Sequence, residues 1–270
     1  MRKGLRKILR AVFDYDPSFC DMYADEPSRR AAEDYLARTR AHLRQQFGDR
    51  PLSILDAGCQ AGRLVFPLAQ DGHRLTGLDA SGFALRRGRR HAKELALDIP
   101  FYHDTLANLR RWVKAASVEV VVCTEVLYLC PDYRQLLGLL ADTVKPGGLL
   151  FISHRPVWYY VATALRRGQV DCALSVLERT EGPSPDGSYH NWQTPEQLQH
   201  LYAGLGLRVL ASYPVNPIEI DIGQNSLPQP IADALAPMRH NATFRVPSYL
   251  LIVAQKAQTS DDRPQTSGTL

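Results

Sequence analysis

Asp56, Gly58 and Gly62 fall in "ILDAGCQAGR", an apolar run that ends in an acid and opens into a turn framed by two glycines. Glycine lets a backbone take positive φ and lets a ligand touch the main chain. A helix that starts after such a turn presents unpaired N–H groups and a partial positive charge, which suit a carboxylate or a phosphate. The acid before the turn narrows that choice, because it repels a pyrophosphate and attracts an ammonium group. The run G-C-Q-A-G also fails to match the dinucleotide fingerprint G-x-G-x-x-G. Asp79 closes a second apolar run, "LTGLDAS", where a carboxylate can accept hydrogen bonds from two ribose hydroxyls. Asp104, in "FYHDTL", follows a third run, where an acid can accept from an adenine amino group.

These acids act together only if the fold brings them to one edge. From residue 52 the chain alternates apolar strands, "LSILD", "HRLTGLDA", "DIPFYH", "VEVVVCTE" and "LLFISH", with helical stretches. The first helix, "GRLVFPLAQDG", contains Pro67, which should leave one backbone acceptor unpaired. Ser81 caps the next, and "LANLRRWVKAA" and "YRQLLGLLADTV" follow. Alternation with continuously apolar strands predicts a parallel sheet covered on both faces, with ligands beyond the carboxyl ends of its strands. Two helices are predicted within residues 156–180. "EGPSPDGS" reads as a loop, and "TPEQLQHLYAGLG" as a helix capped by Thr194 with Pro195 at its first position. "LRVLASYPV" and "SYLLIVAQK" read as sixth and seventh strands. Ahead of all this, residues 1–50 read as a helical cap, with Ala32, Tyr35, Leu36, Leu43 and Phe47 as its buried stripe.

An ammonium, a carboxylate and a ribose occur together in S-adenosyl-L-methionine. "ILDAGCQAGRLVFPLAQDGHRLTGLDAS", "HDTL", "VVVCTEVLYLC" and "LLADTVKPGGLLFIS" resemble, in order and spacing, the class I S-adenosylmethionine-dependent methyltransferase family over about residues 50–155. "TPEQLQHLYAGLGLRVL" resembles that family's last helix and the strand after it. The resemblance implies an α/β, Rossmann-like, doubly wound, seven-stranded sheet, mostly parallel with an antiparallel last strand, plus helical cap and lid elements. Residues 51–256 would form the methyltransferase domain, with a lid insert at about 156–193 and a loop insert at about 215–245. Residues 257–270, polar and almost free of apolar side chains, would form a disordered tail. Carried over by position, Asp56, Gly58, Cys59, Gln60 and Gly62 form the first cofactor-binding motif. Asp79 with Ala80 forms the ribose site, Asp104 with Thr105 the adenine side, and Thr124 with Glu125 the methionine end. Gln60 stands where the family often has glycine, so its side chain should crowd the turn or force a strained backbone.

Methyl transfer from a sulfonium is a direct displacement, so the protein must hold the acceptor in line and exclude water. Acceptor-side candidates are His154 as a base, Arg155 as a partner for an acidic group, and Tyr128. "SYHNWQTPEQ" adds Tyr189, His190 and Trp192, polar-tipped rings that often face a ligand. Trp158, Tyr159 and Tyr160 in "VWYYVATAL" suit a core better than a substrate box. No Asp and Asn cluster with metal-ligand spacing follows the fourth strand, so no metal is expected.

The acceptor class implied is a small molecule, a lipid or a glycan intermediate. A non-catalytic binding or partner protein on the same fold stays open because of Gln60. A nicotinamide-dependent oxidoreductase lacks its fingerprint. An RNA methyltransferase is the remaining alternative, with Arg86, Arg87, Arg89, Arg90 and Lys93 on one helix, but no aromatic residues are interleaved with them. A net charge of +4 and an isoelectric point near 8.8 fall short of a dedicated nucleic-acid binder. Five cysteines without a C-x-x-C pair fit a reducing, cytoplasmic setting. No run approaches the roughly 20 apolar residues of a spanning helix. Leu5, Ile8, Leu9 and Val12 form one face of a basic N-terminal helix that could touch a membrane surface, or pack on its own domain.

Overall fold

The computed structural model describes residues 26–221, 227–241 and 243–258. The basic N-terminal helix and most of the tail lie outside the described residues. The chain divides into two compact units, Met1–Val122 and Cys123–Leu270.

In the first unit α1 (Glu26–Phe47) buries Ala31, Tyr35, Thr39 and Leu43, a strict i, i+4 stripe. Ala32, Leu36 and Phe47, expected on that stripe, are half-buried beside it. Four parallel strands follow, β1 (Ser53–Ala57), β2 (Arg74–Asp79), β3 (Phe101–His103) and β4 (Val118–Cys123), in the order β3-β2-β1-β4. Their β-branched and leucine side chains are covered on both faces; Ile54, Leu55 and Val120 to Val122 are all essentially inaccessible. The register sets Asp56 beside Gly77 and Asp79 beside His103, so the acids gather at the carboxyl ends.

Between the strands lie α2 (Val65–Gln70), α3 (Gly82–Glu94) and a 3-10 helix, Leu106–Arg111. Pro67 has no N–H to give the Arg63 carbonyl, so the unbroken ladder starts with Leu68 N–H on Leu64 O and residues 61–64 are turns. Ser81 caps α3 by accepting from Ala84 N–H at 3.2 Å. "LANLRRWVKAA" forms the short 3-10 helix rather than the expected long helix.

The second unit contains α4 (Tyr133–Thr143), β5 (Val144–His154), α5 (Val157–Arg166), α6 (Val170–Leu177), β6 (Glu181–Pro183), β7 (Tyr189–Asn191) and α7 (Pro195–Gly204). β8 (Leu207–Ile220), α8 (Gln229–Leu235), β9 (Arg239–His240) and β10 (Thr243–Lys256) complete it. β10 runs antiparallel to both β5 and β8, as expected for the last strand. Thr194 and Gln197 form a reciprocal cap on α7, with Pro195 in its first turn. The chain therefore has the α/β, Rossmann-like fold, a mostly parallel sheet with helices and antiparallel strands at the end.

Two expectations change. The insert at 215–245 is not simply a loop: β8 and β10 stay paired out to Phe244 opposite Ile220. Pro217 and Pro247, which argue against a strand when read singly, face each other in the register, so the donors they lack are lost at one rung. "EGPSPDGS" is not all loop either. Its Glu181–Pro183 pairs with Tyr189–Asn191 as a two-stranded ribbon.

Candidate functional site

Asp56 lies inside β1 and is 3% exposed. Burial pushes its carboxyl up to about 7; nearby Arg63 opposes that rise, and Asp79 adds to it. Beyond it the chain folds back sharply. The Gly58 and Cys59 N–H groups both donate to Leu78 O, at 2.7 and 3.1 Å, and Gly62 N–H donates to Cys59 O at 2.8 Å. Gly58 and Gly62 have φ of 86° and 97°. A Cβ at Gly62 would lie 2.4 Å from the Phe66 ring. Gln60 has φ of 50°, left-handed backbone that costs a residue with a side chain about 1–2 kcal/mol. Cys59 is buried, with its thiol pushed well up, first by burial, and so is an inert packing residue.

Asp79 closes the turn. Its Oδ2 accepts from Gln60 N–H and its Oδ1 from Ser81 N–H, both at 2.7 Å. A carboxylate has about four lone-pair sites, so both oxygens keep capacity for further donors. The Ala80 carbonyl lies 3.1 Å from His103 Nε2. Asp104 is engaged on both oxygens: Oδ1 accepts from Thr105 N–H and Asn108 Nδ2, at 2.9 and 2.7 Å, and Oδ2 accepts from Trp112 Nε1 at 2.9 Å. Those bonds, Asn108 first and Trp112 next, hold its carboxyl below the usual range. The Trp112 ring stacks on Tyr102, with centroids 4.6 Å apart.

The second unit carries a different constellation. After β4, Thr124 is buried and Glu125 takes φ of 63°, with its N–H donating to Ser153 Oγ at 2.6 Å. Arg155, just past β5, holds its guanidinium 4.4 Å from the ring centroids of Tyr128 and Tyr159 and 4.7 Å from that of Tyr249. Its Nη2 donates to the Tyr249 hydroxyl at 2.5 Å. His190 meets Tyr128 and Tyr160 edge-on, at 5.3 and 5.5 Å. Asn191, fully buried, donates through Nδ2 to Leu127 O at 2.8 Å and Cys130 O at 3.0 Å, fastening the ribbon to the turn that bears Tyr128.

A methyltransferase-domain family model matches residues 54–148. A ubiquinone biosynthesis O-methyltransferase of Methylocella silvestris is 32% identical over 61% of this chain and 62% of its own length. One of Methylobacterium sp. is 31% identical over 64% of this chain and 68% of its own length. The chain belongs to the class I S-adenosylmethionine-dependent methyltransferase family. It spans less than two thirds of the length of the first of these relatives. Among solved structures, magnesium protoporphyrin IX methyltransferase from Synechocystis, with bound cofactor, matches at a TM-score of 0.57 and 15% identity. The match covers 94% of this chain and 96% of that one. The 1,6-didemethyltoxoflavin-N1-methyltransferase of Burkholderia thailandensis matches at 0.57 and 18%, over 94% and 89%. At these identities the likeness is one of fold.

In this chain the first unit gathers Asp56, Gly58, Cys59, Gln60, Gly62, Asp79 and Ala80 at one turn, with Asp104 and Thr105 at the end of β3. Of the acceptor-side candidates, the structure brings together Tyr128, Arg155 and His190. It does not bring His154 to them. That ring is 1% exposed, its Nε2 lies 2.9 Å from the Tyr202 hydroxyl, and burial lowers its pKa to about 3, which makes it a poor base. Trp192 is also misplaced as a ligand contact: it is 1% exposed, and its Nε1 donates to the Val176 and Arg179 carbonyls, at 3.0 and 2.8 Å. Tyr189 points its hydroxyl at Glu181, 2.8 Å away on the other ribbon strand. Tyr159 and Tyr160 pack in or against the core as expected, and Tyr249 is the addition that the sequence does not single out. The one signal for Tyr249 was a polar-tipped ring inside the apolar "SYLLIV".

Proposed function

We propose that this chain binds S-adenosyl-L-methionine at the Gly58–Gly62 turn and transfers its methyl group to a small-molecule acceptor. The observation that carries this reading is Asp56, a carboxylate pushed up by burial beside a glycine turn, which an ammonium group would stabilise in its charged form. The donor set fits the cofactor. Asp56 takes the ammonium, Asp79 takes the ribose hydroxyls on the lone pairs left by Gln60 and Ser81, and Asp104 takes the adenine amino group. Thr124 and Glu125 hold the methionine end. The cofactor supplies a methyl carbon on a sulfonium, open to direct displacement. In the second unit Tyr128, Arg155 and His190 bind and orient the acceptor, and the helices and ribbon of 156–193 belong to the acceptor side. The O-methyltransferase names of the relatives favour oxygen as the acceptor atom. No described helix is long and apolar enough to cross a membrane. Cys59, Cys123, Cys130 and Cys172 form no disulfide among the described residues, which suits a cytoplasmic setting.

The strained Gln60 favours one second reading, a partner protein that keeps the fold without catalysis. Calorimetric titration with S-adenosylmethionine, S-adenosylhomocysteine and NADH separates the two. Micromolar binding of the first two, weakened by about 1.5–3 kcal/mol in Asp79→Ala, supports the methyltransferase reading. Absence of binding in a folded sample moves the partner reading to the front.

A further inference from the structure

Arg155 has no carboxylate partner among the described residues. Around it lie Tyr128, Tyr159, Tyr160, Tyr249 and His190. A guanidinium carries five N–H donors and cannot give up its proton. Of these, Nη2 is satisfied by Tyr249, while Nε is shut off from solvent without a hydrogen-bond partner. A charge sheltered in this way, without a counter-ion among the described residues, is costly. The rings offset part of that cost through their negative faces.

Tyr128 and Tyr160 do not supply the missing anion. Burial, the largest influence on both, raises the hydroxyls of Tyr128 and Tyr160, so they stay protonated. The imidazole of His190 is lowered, first by burial and then by Arg155, so it adds no second positive charge. Two more polar atoms of this cluster, the Tyr160 hydroxyl and His190 Nδ1, make no hydrogen bond of normal geometry. The cluster thus holds the Arg155 charge, aromatic walls and spare polar atoms, with Glu125 near Tyr128 and Asp186 near His190 as acids at its edge.

We propose that the Arg155–tyrosine cluster binds a monoanionic carboxylate on a planar, unsaturated acceptor. A carboxylate matches the fork of a guanidinium, one negative charge matches one positive charge, and a flat body stacks on the rings. A phosphate dianion would ask for a second cation that the cluster lacks. This assignment rests on the methyl-transfer reading only in calling the ligand an acceptor.

The test is a ligand-observed NMR titration of the full chain with benzoate and with benzamide, its neutral match, alongside calorimetry with S-adenosylmethionine. Benzoate should bind at least tenfold more tightly than benzamide. Arg155→Gln should weaken benzoate at least tenfold, Arg155→Lys should restore part of that loss, and cofactor affinity should be unchanged in both. Equal binding of benzoate and benzamide by the unaltered protein would overturn the assignment even if the variants failed to fold. Benzoate binding that survives Arg155→Gln would do the same. Phenyl phosphate binding more tightly than benzoate, with the same Arg155 dependence, would replace the carboxylate. If benzoate binding follows Arg155 but S-adenosylmethionine does not bind at all, the anion site stands and the methyl-transfer reading falls.

Discussion

The glycine turn of the first unit and the arginine cluster of the second solve opposite problems. Residues 57–81 build a site mostly from main chain, held by acceptors that each take two amides: Leu78 O those of Gly58 and Cys59, and Asp79 those of Gln60 and Ser81. The cluster is built from side chains on four separate stretches, and it holds polar atoms without partners. The first region keeps its shape before any ligand arrives. The second keeps its charge uncompensated, and so tells more about what it binds.

The contrast makes the turn the more fragile of the two to substitution. Asp56 should show the largest effect. Its carboxyl, near 7 when folded and 3.8 ordinarily, holds a proton that the unfolded chain releases. The stability this confers is full below about pH 4 and is lost as pH rises through 7, on the order of 4 kcal/mol. Urea unfolding from pH 4 to 8 should show that decline and lose it in Asp56→Asn; an unchanged slope would mean that Asp56 is ionised throughout. Gly62→Ala comes next, at roughly 2–4 kcal/mol, since it adds a Cβ against Phe66 at positive φ. Adding Phe66→Leu should recover only the steric part, and full recovery would show that the backbone there is unstrained. Gln60→Gly is the smallest change, a gain of about 1 kcal/mol from relief of its left-handed backbone. A loss in thermal unfolding would show that contacts of the Gln60 side chain outweigh the strain.

The same contrast explains what the sequence made legible. A turn written by consecutive residues can be read from them, and Asp56, Gly58, Gly62 and Asp79 sit together at the carboxyl ends as the strand pattern required. Ser81 and Thr194 cap their helices as read, because capping is local. The cluster depends on pairings between distant segments. Leu250 lies opposite His154, which sets Tyr249 next to Arg155, and nothing in either segment announces that register. His154 and Arg155 are neighbours in sequence, yet the alternation of a strand sends adjacent side chains to opposite faces. The first therefore meets Tyr202 and the second meets Tyr249. Trp192 was misread for a related reason. A polar-tipped ring fits a ligand site and a core equally well until its N–H partner is known, and here that partner is a pair of carbonyls.

Asn191 has a thermodynamic consequence. By gripping the carbonyls of Leu127 and Cys130, it ties the segment carrying His190 to the segment carrying Tyr128. Two rings carried on separate segments are fixed relative to one another when the protein folds, not when a ligand arrives. Binding at the cluster then carries a smaller entropic penalty, and its affinity reflects contacts made rather than segments ordered.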